Sequence, residues 1–125
     1  MAIPKITLPQ MQELAFDFTL EAIELHKSLT KKGHTVLADG MLKSVTELGL
    51  LANSIDEKTN SKTLFNYATK AINQVKAVHF WFRLLEKSEL LTKKWQKRLE
   101  VTLEHIEELL EGKANKAKAD SKVGF

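Results

Sequence analysis

A chain of 125 residues, 43% hydrophobic and 28% charged, has the size of one domain and enough apolar surface for a single buried core. It contains no cysteine, which excludes disulfides, a thiol nucleophile and a cysteine-based zinc site. The net charge of +3 resides in residues 113–125, where Lys113, Lys116, Lys118 and Lys122 are set against Asp120; residues 1–112 balance 15 basic with 15 acidic side chains, so nucleic-acid binding must rest on local patches.

The opening segment MAIPKITLPQ lacks the apolar run of a signal peptide, and no stretch approaches the ~18–20 apolar residues of a membrane span. A cytoplasmic protein with no membrane contact is expected. Pro4 and Pro9 stand before or at the start of the first helical pattern, where proline is tolerated. The spacing predicts a helix over 9–32: Met11, Ala15, Phe18, Ala22, Leu25 and Leu29 recur four and three apart, and Gly33 ends it. Thr35 is the expected N-cap of a second helix reaching 55, with Leu37, Met41, Val45, Leu48, Ala52 and Ile55 as its stripe. Gly40 and Gly49 fall inside it at ~1 kcal/mol each against alanine, a cost explained equally by a closely packed neighbour or by simple tolerance. The polar run 56–61 is a loop. A third helix follows to 88 on Leu64, Ala68, Ala71, Val75, Val78, Phe82 and Leu85. Leu90 and Leu91 connect it to a fourth, capped by Thr92 and built on Trp95, Leu99, Leu103, Ile106 and Leu110, with Gly112 at its end. Residues 113–125 read as a basic, disordered or frayed tail. Short connections between helices of similar length favour antiparallel neighbours. The expected fold is all-α: an up-down-up-down antiparallel four-helix bundle over 1–112, as a single domain.

The segment His79-Phe80-Trp81-Phe82-Arg83 departs from this simple pattern. Four consecutive ring-bearing residues step ~100° apart around a helix, so they cover most of its circumference. A bundle helix needs apolar cover on one face only. Phe82 belongs to the seam of its own bundle; His79, Phe80 and Trp81 are therefore expected at an interface with another copy of the chain.

Catalytic and metal chemistry find little support. The di-iron bundle pattern places a glutamate three residues before a histidine, yet Ile23, Lys31, Lys76 and Thr102 precede His26, His34, His79 and His105 at that spacing. No two histidines stand four apart. No metal or other cofactor is expected. With no glycine-rich phosphate cradle and no nucleophile-elbow pattern, no enzymatic activity is expected either. Glu13, Asp17, Glu21 and Glu24 read as a solvated acidic face of the first helix.

The fourth helix carries its charges against the helix dipole. Lys93, Lys94, Lys97 and Arg98 crowd its first turns, while Glu100, Glu104, Glu107, Glu108 and Glu111 fill the rest. Each such charge is unfavourable by ~0.3–1 kcal/mol at exposed sites, and the Lys93–Lys97 and Lys94–Arg98 pairs repel at i, i+4. Positive charge concentrated beside Trp95 suits a phosphate-backbone site. It equally suits pairing with helix-one carboxylates or with the acidic half of a neighbouring subunit. Arg83 and Lys87, with Lys76 two turns earlier, either snorkel at a bundle edge or line a basic channel on assembly.

Two pieces of the chain carry a resemblance: LKSVTELGLLANSIDEKTNSKTLF, where one helix ends in an Ala-Asn-Ser turn and another begins, and INQVKAVHFWFRLLEKSELL, with its Phe80-Trp81-Phe82-Arg83-Leu84-Leu85 core. Over 42–110 the chain resembles a family of small bacterial four-helix-bundle proteins. The family comprises proteins encoded by intervening sequences in 23S ribosomal RNA genes and the accessory variability determinant (Avd) proteins of diversity-generating retroelements. The turn Asn53-Ser54-Ile55-Asp56-Glu57 stands closer to the retroelement branch. The resemblance implies a homopentamer of four-helix protomers without enzymatic activity. In that branch the protein is a basic nucleic-acid-binding partner of a reverse transcriptase, supporting template-RNA-dependent cDNA synthesis. The residues this assigns to RNA or DNA binding are Arg83, Lys87, Lys93, Lys94, Lys97 and Arg98, with the tail lysines secondary. The alternative is an intervening-sequence-type structural or protein-interaction module that binds no RNA.

Overall fold

The computed structural model describes residues 8–56 and 58–121. Pro4, Glu57 and Lys122 lie outside them. Helix α1 spans Leu8–Lys31, α2 Thr35–Asn53, α3 Ser61–Lys87 and α4 Lys93–Ser121. Each helix packs on the next in sequence, and α4 returns to α1 along a much sparser seam. The result is an up-down-up-down four-helix bundle with no strand among the described residues.

The helix ends follow from local chemistry. Gly33 takes φ 91°, where a side chain would be strained. It donates its N–H to the Thr30 carbonyl at 3.0 Å while His34 donates to Leu29 at 2.9 Å, a Schellman closure of α1. The expectation that Thr35 caps α2 is corrected. The closure is so tight that the cap position falls on His34, whose side chain makes no capping bond, and Thr35 is the first helical residue. Asn60 accepts the Thr63 N–H at 2.9 Å to start α3, and Thr92 accepts the Trp95 N–H at 3.2 Å to start α4. Helix α3 closes as α1 does, with Leu90 donating to Leu85 at 2.8 Å, but Glu89 rather than glycine takes the positive φ of 61°.

The core is the set of heptad stripes. Met11, Ala15, Phe18, Ala22, Leu25 and Leu29 are all buried, as are Met41, Val45, Leu48, Ala52 and Ile55. Leu37 and Leu64 are only partly covered, and Ala38 takes the buried position at the start of α2. Phe18 and Phe82 meet edge-on across the diagonal of the bundle, with ring centroids 6.1 Å apart. Burying either ring is worth ~1.5–3 kcal/mol.

Two features of the sequence reading change. Gly40 and Gly49 both serve close packing: a Cβ on Gly40 would run into the Trp81 ring, and one on Gly49 would meet Thr19 Oγ1 at 2.7 Å. The fourth helix does not stop at Gly112. It continues to Ser121 with Ala114 and Ala117 buried, so the expected loose tail is helical over 113–121. The bonds between α3 and α4 set a register that brings this extension level with the first turns of α3. The 4/3 spacing in fact runs on from Leu110 through Ala114 and Ala117, and alanine and lysine, both strong helix formers, carry the helix across one glycine. No helix among the described residues is long and apolar enough to cross a membrane.

Candidate nucleic-acid interface

The cap at Thr92 fixes where α4 starts and hence which way its first cations point. Lys94, Trp95, Lys97, Arg98 and Val101, with Thr92 and Thr102, line an open groove of about 560 Å³. Its lysines stand on the outer surface, while Trp95 leans inward and packs against the core from its margin. The Trp95 Nε1–H is enclosed yet has no hydrogen-bond partner among the described residues. Arg98 reaches α1, its Nη2 lying 3.5 Å from Glu21 Oε2. Lys94 and Lys97 make no ion pair within 4.0 Å among the described residues. The groove therefore combines two cations without an ion pair among the described residues, one shared cation and an apolar floor.

The six cations assigned to nucleic acid do not form one patch. Lys94, Lys97 and Arg98 share the α4 groove, and Lys93 is exposed at the first position of α4 without lining it. Arg83 and Lys87 lie on the outer surface of α3, lining a separate depression of about 220 Å³ with Phe80 and Leu84. Lys113, Lys116 and Lys118 sit on the helical extension of α4. Sequence spacing finds the cations of the groove but not Val101 and Thr102, which belong to it because they fall one turn further on the same helix face.

The aromatic segment is also divided. Trp81, expected at an interface with another copy, lies half-buried against α2 within the protomer, over Gly40, and donates its Nε1–H to Ser44 Oγ at 3.2 Å. His79 turns to the opposite flank, where Nδ1 stands 2.6 Å from Glu100 Oε2 and Nε2 stands 3.9 Å from Glu107 Oε1, so it ties α3 to α4 within the protomer. The reason is angular: residues on either side of the Val78–Phe82 seam land on the two flanks of α3, each already occupied by a neighbouring helix. Phe80 alone projects, 59% exposed.

Burial beside α3 pushes the Glu100 carboxyl above its ordinary value, and this outweighs the opposing pull of His79. The two histidine nitrogens point to different carboxylates, and no group of three His, Asp or Glu among the described residues is placed to hold a metal ion. No family model matches the chain, and no curated protein or solved structure does either.

Proposed function

We propose that the chain is a non-enzymatic, homo-oligomeric nucleic-acid-binding protein of the cytoplasm. In the form the Avd resemblance implies, it is a homopentamer that assists a reverse transcriptase in template-RNA-dependent cDNA synthesis. The observation that carries the reading is the α4 groove, where Lys94 and Lys97 keep their charge unpaired beside the indole of Trp95. Cations supply the sequence-independent attraction to phosphate, and an aromatic and apolar floor receives bases of a single strand. One groove per subunit is modest. Repetition around an assembly multiplies it, since linked sites bind with an avidity ~10²–10⁴ above that of one site.

The test is binding of a fluorescent single-stranded RNA to the full chain across a salt series. Log affinity should fall with log salt with a slope of about −0.7 per neutralised phosphate. Lys94→Glu with Lys97→Glu should weaken binding to all sequences alike and flatten that slope. These two are preferred to Arg98, whose reversal would also disturb Glu21. Unchanged affinity in the double variant would remove the groove from the site.

The ion pair between Arg98 and Glu21 favours a second reading, a structural or protein-interaction module in which helix-four cations serve the bundle itself. It predicts no RNA binding by the wild-type chain at physiological salt, with a loss of stability on Arg98→Glu.

A further inference from the structure

Arg98 belongs to two neighbourhoods at once. It lines the α4 groove with Lys94 and Lys97, and of these three cations it alone has an ion-pair partner among the described residues, Glu21 on α1. Helices α1 and α4 meet along the sparsest seam between neighbouring helices, so the pair bridges an open edge of the bundle. Repulsion within α4 favours that direction. Lys94 stands one turn before Arg98 on the same face, and like charges at i, i+4 push apart.

The pair is a loose one. Its atoms stand 3.5 Å apart and the Arg98 side chain is still 65% exposed. Glu21 Oε2 is enclosed, yet it accepts no hydrogen bond from any described residue. Charge holds the two together without an N–H aligned on the oxygen. Exposed pairs of this kind favour the closed arrangement by about fivefold or less. A phosphate offers the same guanidinium two oxygens that it meets as a fork, and such charge-assisted bonds are about twice as strong as neutral ones. A phosphate between Lys94 and Arg98 also relieves their repulsion. Arg98 sits within α4, so the exchange turns one long side chain and leaves the helix in place.

We propose that Glu21 is a phosphate mimic built into the chain: it holds Arg98 against α1 until a nucleic-acid phosphate, brought in by Lys94 and Lys97, displaces it. This rests on the nucleic-acid reading above, and it makes the two uses of Arg98 successive instead of exclusive. The consequence is selectivity for a run of charge. A lone anion meets two lysines, whereas a strand presenting phosphates in succession also draws the arginine across. Glu21 is therefore a positioning residue that acts on nucleic acid only through Arg98.

The experiment is titration of a fluorescent single-stranded oligouridylate with the full chain across a salt series, for wild type, Glu21→Gln, Arg98→Gln and the double variant, each checked for helix content by circular dichroism. Glu21→Gln keeps the side-chain shape and removes the charge. It should raise affinity by roughly two- to fivefold at low salt and steepen the slope of log affinity on log salt by at most about 0.7, one single-strand phosphate. Arg98→Gln should weaken binding, and adding Glu21→Gln to it should change nothing further. Unchanged or weaker binding by Glu21→Gln, in a chain whose binding still falls on Lys94→Glu with Lys97→Glu, overturns the proposal and leaves the nucleic-acid reading standing. An equal gain with and without Arg98 also overturns it, because the carboxylate then merely repels RNA at a distance. A chain that binds no RNA, with or without Glu21→Gln, ends the reading and the proposal together.

Discussion

Trp81 rests on a glycine, a serine and the neighbouring phenyl ring of Phe80, and this small arrangement decides the character of the whole aromatic segment. Gly40 weakens its own helix by ~1 kcal/mol relative to alanine. In return α2 admits an indole that covers the α2–α3 seam. Alanine at position 40 would regain the helix propensity but drive a methyl into the ring, and overpacking of that kind costs ~1–3 kcal/mol. Gly40→Ala is therefore expected to destabilise the protein by about 1 kcal/mol. In a Trp81→Ala background the ring is gone and the same substitution should become stabilising. Urea denaturation of the four proteins measures both signs, and a stabilising Gly40→Ala in the wild type would show that the ring shifts aside without cost.

The contact between α3 and α4 is the broadest in the bundle, and its polar clasp is asymmetric. His79 holds Glu100 at 2.6 Å, yet burial of the carboxylate outweighs that attraction and the Glu100 carboxyl titrates above its ordinary 4.5. A carboxyl whose folded-state value is raised binds its proton more tightly in the folded state than in the unfolded one. Its contribution to stability is complete below 4.5 and is lost as pH rises through the raised value. Wild type should accordingly gain stability relative to Glu100→Gln as pH is lowered through that window. Thermal or chemical denaturation of the two proteins over the pH series checks the slope. A difference that grows with pH instead would mean that the histidine contact dominates. The ladder of stripes on these helices was readable from spacing alone, down to Ala68 and Ala71, because a 4/3 repeat has one buried solution in an antiparallel bundle. The extension past Gly112 was readable too, in Ala114 and Ala117, but a glycine and a lysine-rich composition resemble a helix stop and a solvated tail.

At the scale of the whole molecule, the described surface carries separate grooves of different character. The α4 groove holds cations beside Trp95, α3 presents Phe80 beside Arg83 and Lys87, and Phe16 of α1 with Leu50 of α2 borders an uncharged groove. Phe80, the residue expected to join subunits of the proposed homo-oligomer, therefore stands apart from the α4 groove. Phe80→Asp leaves Lys94, Trp95 and Lys97 in place, so a single chain should still bind RNA but lose avidity, with apparent affinity at least about tenfold weaker on a strand long enough to span several subunits. On an oligonucleotide that covers one groove the variant and wild type should bind alike. Fluorescence anisotropy with the two lengths distinguishes the cases, and equal loss on both would mean that Phe80 itself contacts the nucleic acid.

The sequence by itself determined the four helices, their seams, their antiparallel order and the cap at Thr92, because periodicity and capping are local properties of the chain. The patches were beyond it. Whether a residue just off the seam is spent inside the bundle or left outside depends on what the next helix offers at that level. Glycine at 40 drew Trp81 in, Glu100 drew His79 across, and nothing met Phe80. The groove that Phe16 and Leu50 border likewise exists only after α1 and α2 are set side by side, since the residues come from turns that are far apart in the chain. Tertiary structure made those choices because flank residues, unlike seam residues, are partnered by distance in space rather than by spacing in sequence.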